Sequence, residues 1–300
     1  MSQDLEYTLP TEEVPVIWSL GGGLPSAGYV PAKLTNDNPA DPYKVDTGYL
    51  FLSGVLQAPT VVACAAIIHH NYDPGIHDIY LAAGNSPGAV SYTVPFPTVP
   101  PLALDGYPVN LFLDLRPLGP LPVYQYWYVI SYPGWGTYTT NSVPISIGEL
   151  KLYTSVHAID GSLVLDLQPT ETEGYPIIDR ETDGDVSLVY PLGTKRRFLR
   201  GGVLQAGEAA AALQRWYRAA RGRTLPFVVL VSDAEGSETT EPWLCRWEHP
   251  TLERRFTYGA VASTFALEIE EISRGLRPTP MPMLNAMDLA RGNRRWNNAF

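Results

Sequence analysis

The clearest periodic signal in the chain runs from Ala206 to Arg221. Ala209, Leu213, Trp216 and Ala220 fall at i, i+4, i+7 and i+11, one apolar stripe along a helix. Glu208 stands near its start, and Arg215, Arg218 and Arg221 gather at its end, as a helix dipole favours. Gly222 can supply a left-handed C-cap. The stripe predicts Trp216 as the anchor against a sheet. Strands are expected around it: the basic run Lys195–Arg200, the apolar run Pro226–Val231, then Trp243–Glu248 and Thr264–Ile272.

Upstream the pattern changes to short strands. Val61–Ile68 is apolar throughout, the mark of a strand buried on both faces. His77–Ala82, Leu111–Leu115 and Ile145–Tyr153 are further strands, separated by turns rich in Asn, Asp, Pro and Gly. Tyr124–Tyr132 alternates, placing Tyr126, Tyr128, Ile130 and Tyr132 on one face and Trp127 and Val129 on the other. Residues 1–45 read as arm and loops, and Ser162–Leu167 as a strand in the stretch joining the two halves. The expected fold is mainly β with a small α+β part. An arm and an antiparallel β-sandwich of jelly-roll type occupy 1–155. An α+β domain with one main helix on a sheet occupies 156–274, and an extended arm 275–300.

Composition supports an ordered chain. Hydrophobic residues make up 45% of the 300, and 28 prolines and 26 glycines come with 18 tyrosines and 7 tryptophans. Disordered segments lack such aromatics; many short strands joined by tight turns fit better. The net charge of -10 is uneven. From Lys195 onward 16 Lys+Arg stand against 11 Asp+Glu, leaving 5 of the 21 basic and 20 of the 31 acidic residues before it. An acidic first part is unsuited to phosphate contacts, so no nucleic-acid specificity is expected. No apolar run approaches the roughly 20 residues that span a bilayer. The first residues lack a basic region followed by an apolar one, so no signal peptide is expected, and the chain is read as soluble and made in a cytoplasm. Cys64 and Cys245 each sit in an apolar run, as buried free thiols.

Catalytic and cofactor motifs are missing. Gly21-Gly22-Gly23-Leu24-Pro25 lacks the Lys-Ser/Thr of a phosphate loop. There is no Gly-x-Ser-x-Gly elbow and no His-Glu-x-x-His helix. His69, His70 and His77 have no carboxylate at a ligand spacing. Asp179–Asp185 places acids before a glycine as a calcium loop does, but Tyr190 stands where the bidentate Glu belongs, and a hairpin tip is the simpler reading. Neither cofactor nor metal is expected, and no enzyme activity. The best binding candidate is the loop Tyr132-Pro133-Gly134-Trp135-Gly136-Thr137-Tyr138. There Trp135, between glycines, and its neighbours Tyr132 and Tyr138 offer rings to a sugar or a partner protein. Trp296 and Phe300 are aromatics near a chain end and point to docking on a neighbouring subunit.

Two stretches carry family resemblances. Ile67–Gly75, Tyr126–Ile130 and Ser146–Tyr153 hold, in order, a His-Asn turn after an apolar strand, a Tyr-Trp strand and a closing Ile-Gly-Glu-Leu strand. Together they resemble the galactose-binding-like (jelly-roll) domains of phage and prophage virion proteins, with Tyr72 where Leu is commoner. The second stretch has Arg197-Phe198, the helix, Leu225–Asp233 and Phe265–Glu271. It resembles a minor or distal tail protein of a long-tailed phage, over about a quarter of the chain.

The resemblances imply a structural component of a phage virion, at a tail tip or baseplate. It would assemble with copies of itself and with other tail proteins, and catalyse nothing. The alternative is a carbohydrate-binding module that contributes to host attachment, with a host-surface glycan as its partner.

Overall fold

The computed structural model describes residues 4–22, 28–38, 42–45, 50–70, 77–97, 110–133, 145–174, 177–178, 188–189, 194–204, 207–232, 240–249, 251–252, 254–256 and 263–272. The strands before residue 155 are β1 (Leu5–Tyr7), β2 (Ile17–Gly22), β3 (Tyr43–Val45), β4 (Leu50–Val61), β5 (Cys64–His70), β6 (His77–Gly84), β7 (Tyr92–Pro95), β8 (Leu111–Asp114), β9 (Val123–Pro133) and β10 (Ile145–Tyr153). Those after it are β11 (His157–Ile159), β12 (Val164–Gly174), β13 (Ile177–Ile178), β14 (Leu188–Val189), β15 (Thr194–Leu204), β16 (Phe227–Ser232), β17 (Thr240–Trp247), β18 (Arg254–Phe256) and β19 (Ser263–Glu271). Helix α1 (Gly207–Ala219) connects β15 to β16.

A five-stranded sheet, β2-β4-β9-β6-β7, faces a four-stranded one, β3-β10-β5-β8, with every pair antiparallel. Trp18, Leu52, Leu81, Trp127 and Val129 from the first interdigitate with Ala65, Ile67, Leu113, Leu150 and Leu152 from the second. This is the antiparallel sandwich expected, with the predicted alternation of β9.

A third sheet, β11-β1-β16-β17-β19-β15-β12 with β18 on β19, forms the α+β unit. Its β16 alternates cleanly. Phe227 and Val229 face α1, while Val228 and Leu230 face the sandwich. On the α1 side, Trp216 is fully buried, as are Leu213 and Ala220, and its ring lies 4.9 Å from Phe227 and 5.0 Å from Trp247. The helix ends with Arg221 and Gly222 both left-handed, at φ 49° and 61°, and Gly222 N–H donates to Tyr217 O. The left-handed stop thus begins one residue before the expected glycine.

The two units share an interior. Cys64, Ala66 and Ile68 on the outer side of β5 pack on Val228, Leu230 and Leu244 of the third sheet. The apolar run 61–68 was expected to be one strand buried on both faces. It is two strands, β4 ending at Val61 and β5 starting at Cys64, and the covering of the second face comes from the other unit. Polar ties reinforce the seam. Asn110 Nδ2 donates to Pro242 O at 2.8 Å while its Oδ1 accepts from His69 N–H, and Arg116 Nη2 reaches Glu6 Oε1 at 2.8 Å. Both cysteines are free and buried, on opposite sides of the third sheet.

Three expectations need correction. Residues 1–45 are more than arm and loops: they contribute β1, β2 and β3. β1 leaves the sandwich altogether and inserts between β11 and β16, with Leu5 opposite Ile159 and Glu6 opposite Leu230. Apolar alternation drives this, since Leu5 and Tyr7 are both buried and Tyr7 stacks on Trp216 at 3.9 Å. A division at residue 155 therefore does not hold for the first strand. The stretch after 160 is a one-turn 3-10 helix, Gly161–Leu163, and then β12, a full member of the third sheet. β13 and β14 pair around 179–187, the calcium-like stretch, which itself lies outside the described residues. The tail 275–300 lies outside them too, and among the described residues no helix is long and apolar enough to cross a membrane.

Candidate functional site

The outer side of the five-stranded sheet is the most distinctive surface of the molecule. The alternation of β9 that turns Trp127 and Val129 inward turns Tyr126, Tyr128 and Ile130 outward, and the register extends this row to Tyr132 opposite Asp78. On the neighbours, Phe51 stands opposite Ile130, Val55 opposite Tyr126, Tyr80 opposite Ile130 and Ala82 opposite Tyr128. Phe51 stacks on Tyr128 with centroids 5.9 Å apart. The Tyr128 hydroxyl accepts from Gly88 N–H at 2.8 Å, so the β6–β7 connection is drawn over the row. Gly84 permits that approach, since a Cβ there would stand 1.8 Å from Ala89 O.

At the edge of the row, Ile17 lies opposite Val55, and they are 76% and 38% exposed. The other outward positions of these strands are Ser19, Ser53, Thr93 and Pro95, and Asp78 is the one charged residue among them. Tyr128, Ile130 and Ala82 are already buried within the chain, so this side leaves open Ile17 and Val55 and, in part, Phe51, Tyr80 and Tyr126. With Asp78 as its one charge, this apolar and aromatic margin has the make-up of an interface, from which charge is depleted. Tyrosines also suit the apolar faces of sugar rings.

The residues singled out from sequence are only partly placed. Tyr132 is the last residue but one of β9 and its backbone is described, though its side chain is not. Trp135, Tyr138, Trp296 and Phe300 lie outside the described residues. The strand ends that flank residue 135 are described. Pro133 stands opposite His77, and Leu50 opposite Ser131. Ile145 stands opposite Val45, and Ile147 opposite His70. Within the five-stranded sheet the strand ends at Leu50, His77 and Pro133 therefore lie together, as do Val45, His70 and Ile145 within the four-stranded one.

Two polar clusters escaped the sequence reading. In the first, Lys151 of β10, 1% exposed, places Nζ 2.9 Å from Glu13 Oε1 and also bonds Asp37. Glu149, two residues along the same face, is fully buried and accepts from Asn38 N–H at 2.8 Å. Burial raises its pKa to about 8 against the pull of Lys151, so at neutral pH it is the protonated member. Burial also raises the Glu13 carboxyl. A carboxyl with a raised folded pKa favours the folded state while protonated, and that advantage fades as pH climbs from about 4.5 to about 8. Glu149→Gln should flatten the fall. Urea midpoints of wild type and variant should converge at pH 5 and separate in the variant's favour at pH 8.5.

The second cluster joins Ser155, His157 and Glu12. It has the composition of a hydrolytic relay but not its geometry. Ser155 Oγ lies 3.3 Å from His157 Nε2, and Glu12 Oε2 lies 2.7 Å from the same nitrogen, while Ser155 also bonds Glu12 directly. A relay needs the acid on the other ring nitrogen. The trio instead ties the segment around Glu12 to β11. Glu248, His249 and Glu268 bring potential ligand atoms within 4.8 Å of one another. Yet Arg200 already holds Glu248 at 2.9 and 3.0 Å, and His249 Nε2 lies 2.7 Å from Glu268, so the set is answered internally.

No protein-family model and no curated protein matches the chain. Among solved structures, one resembling about half of it is a carbohydrate-binding module, CBM32-1, from a family 31 glycoside hydrolase of Clostridium perfringens. The two are 8% identical at a TM-score of 0.36 over 49% of this chain and 96% of that one. CBM32 of AlyQ, in complex with 4,5-unsaturated mannuronic acid, gives 9% and 0.34 over 48% and 98%. Reduced XRCC1 bound to the DNA polymerase β catalytic domain gives the same identity and score over 48% and 99%.

Proposed function

We propose that the chain is a structural subunit of a phage tail that works by being covered and performs no chemistry. The observation that carries this reading is the apolar margin of the five-stranded sheet, where Ile17 and Val55 stand open to solvent beside partly exposed Phe51 and Tyr126, with Asp78 the one charge on that side. The seam between the units supports it: a sandwich fixed to an α+β unit through a shared apolar interior suits a part that transmits position. The sequence resemblances to virion proteins point the same way, and their fragments fall on β5, β9, β10, α1, β16 and β19. The partners are copies of this chain and other virion proteins.

A second reading rests on the partly exposed tyrosines of this side, Tyr80 and Tyr126, as rings that stack on pyranose faces in a host-attachment module. A glycan array probed with the full chain separates the two. The assembly reading expects silence on the array together with concentration-dependent self-association that weakens as salt rises, because an acidic and a basic half meet between neighbours. Saturable glycan binding lost on Tyr126→Ala would transfer the row to the second reading.

A further inference from the structure

β11 is the terminal strand of the third sheet, so one side of its backbone has no strand partner among the described residues. Such an edge is a template for pairing. Beside it lies a cavity of about 560 Å³, between the strand and α1. Ala158, Ile159, Asp160 and Leu163 form one wall, and Ala209, Ala211 and Ala212 the other. The small alanine side chains hold the helix away from the strand and leave room for a third element.

The polar groups of this groove are ordered along it. Arg215 stands at the end where its charge acts on Tyr7, which pairs with His157. Arg215 has no ion-pair partner among the described residues. Glu208 is two helical turns away from Arg215, about 10 Å along the axis, and Asp160 is three residues beyond His157 along the strand. Among the residues that line the groove, the cation Arg215 stands at the Tyr7 end and the acids Asp160 and Glu208 away from it, while Glu12 near that end is held by His157 at 2.7 Å. The groove's length matches about three residues of extended chain.

We propose that this groove takes an extended peptide from another protein chain as an added strand beside β11. Its apolar side chains would enter between Ile159, Leu163 and the helix alanines, and an acidic side chain would meet Arg215. Backbone hydrogen bonds to β11 hold the peptide, and the Arg215 pair sets its register, the mode of strand addition. The site is on the α+β unit, remote from the tyrosine row, and stands or falls separately from it.

A displayed library of random decapeptides panned on the full chain tests this. Enriched peptides should share an acidic residue one or two positions from an apolar one, and their binding should raise amide protection at Ala158–Asp160. Ala211→Trp, an exposed site that fills the cavity, should abolish binding. Arg215→Glu should weaken acidic peptides at least tenfold and restore binding when their acid is replaced by lysine. The proposal is overturned if no peptide is enriched. It also fails if the enriched peptides bind Ala211→Trp equally well, or if they leave the β11 amides unprotected.

Discussion

Trp216→Ala should cost about 3–5 kcal/mol, the usual range for an aromatic removed from a closed core. The ring is fully buried, stacked on Tyr7 at 3.9 Å and in edge contact with Phe227. Among the described residues its indole N–H has no hydrogen-bond partner, so the loss there is one of packing. The effect should also be local in a way that burial alone does not predict. Tyr7 is the ring that seats β1 in the third sheet, and its contact with Trp216 would be gone. Amide exchange at Leu5–Tyr7 should therefore rise well before the sandwich strands respond. Trp216→Phe should lose a smaller part of both effects. Full protection of β1 in the alanine variant would show that strand pairing, not the ring stack, holds the N-terminus.

Lys151→Met is expected to be nearly as damaging at neutral pH, at about 3 kcal/mol, because it strips the cation from a partly buried carboxylate set. Glu13 and Asp37 both point at Nζ, and Glu149 lies beside them. Asp37 is 46% exposed and can turn to water, which holds the figure below that of a fully enclosed pair. The cost should shrink as pH falls, because burial raises the Glu13 pKa and a protonated Glu13 no longer needs the cation. Chemical denaturation at pH 5 and pH 7.5 checks both points. A pH-independent loss would mean that Lys151 acts through its aliphatic stem.

These two residues also show what could be read in advance. Trp216 was legible because the helix repeats its apolar positions every 3.6 residues. The register of β9 was legible because tyrosines alternate with Trp127 and Val129. Lys151 was not: a lysine in an alternating strand looks solvated, and nothing in the sequence shows that segments around Glu13 and Asp37 fold over it. Arg197 is the same case. It opened a basic strand in sequence. In the fold it is buried, holding Glu271 and Glu241 beneath the ring of Trp243, with its guanidinium carbon 3.9 Å from the centroid. β1 was illegible for another reason, since three residues carry no period and its partner Leu230 is more than 220 positions away. The tyrosine row could have been put forward as a surface at once, because its alternation was in hand. The exposed Ile17–Val55 pair, by contrast, needs register to be seen.

The central claim is that the open apolar margin of the five-stranded sheet, at Ile17 and Val55, exists to be covered by protein. Sedimentation velocity of the full chain against the double variant Ile17→Asp, Val55→Asp tests it most directly. Both side chains point outward from paired strands, so the variant should keep its fold and its unfolding midpoint. The wild type should move to larger species as concentration rises, and the variant should stay at the sedimentation coefficient of a single chain. A wild type that remains monomeric throughout, or a variant that associates just as well, would contradict the account.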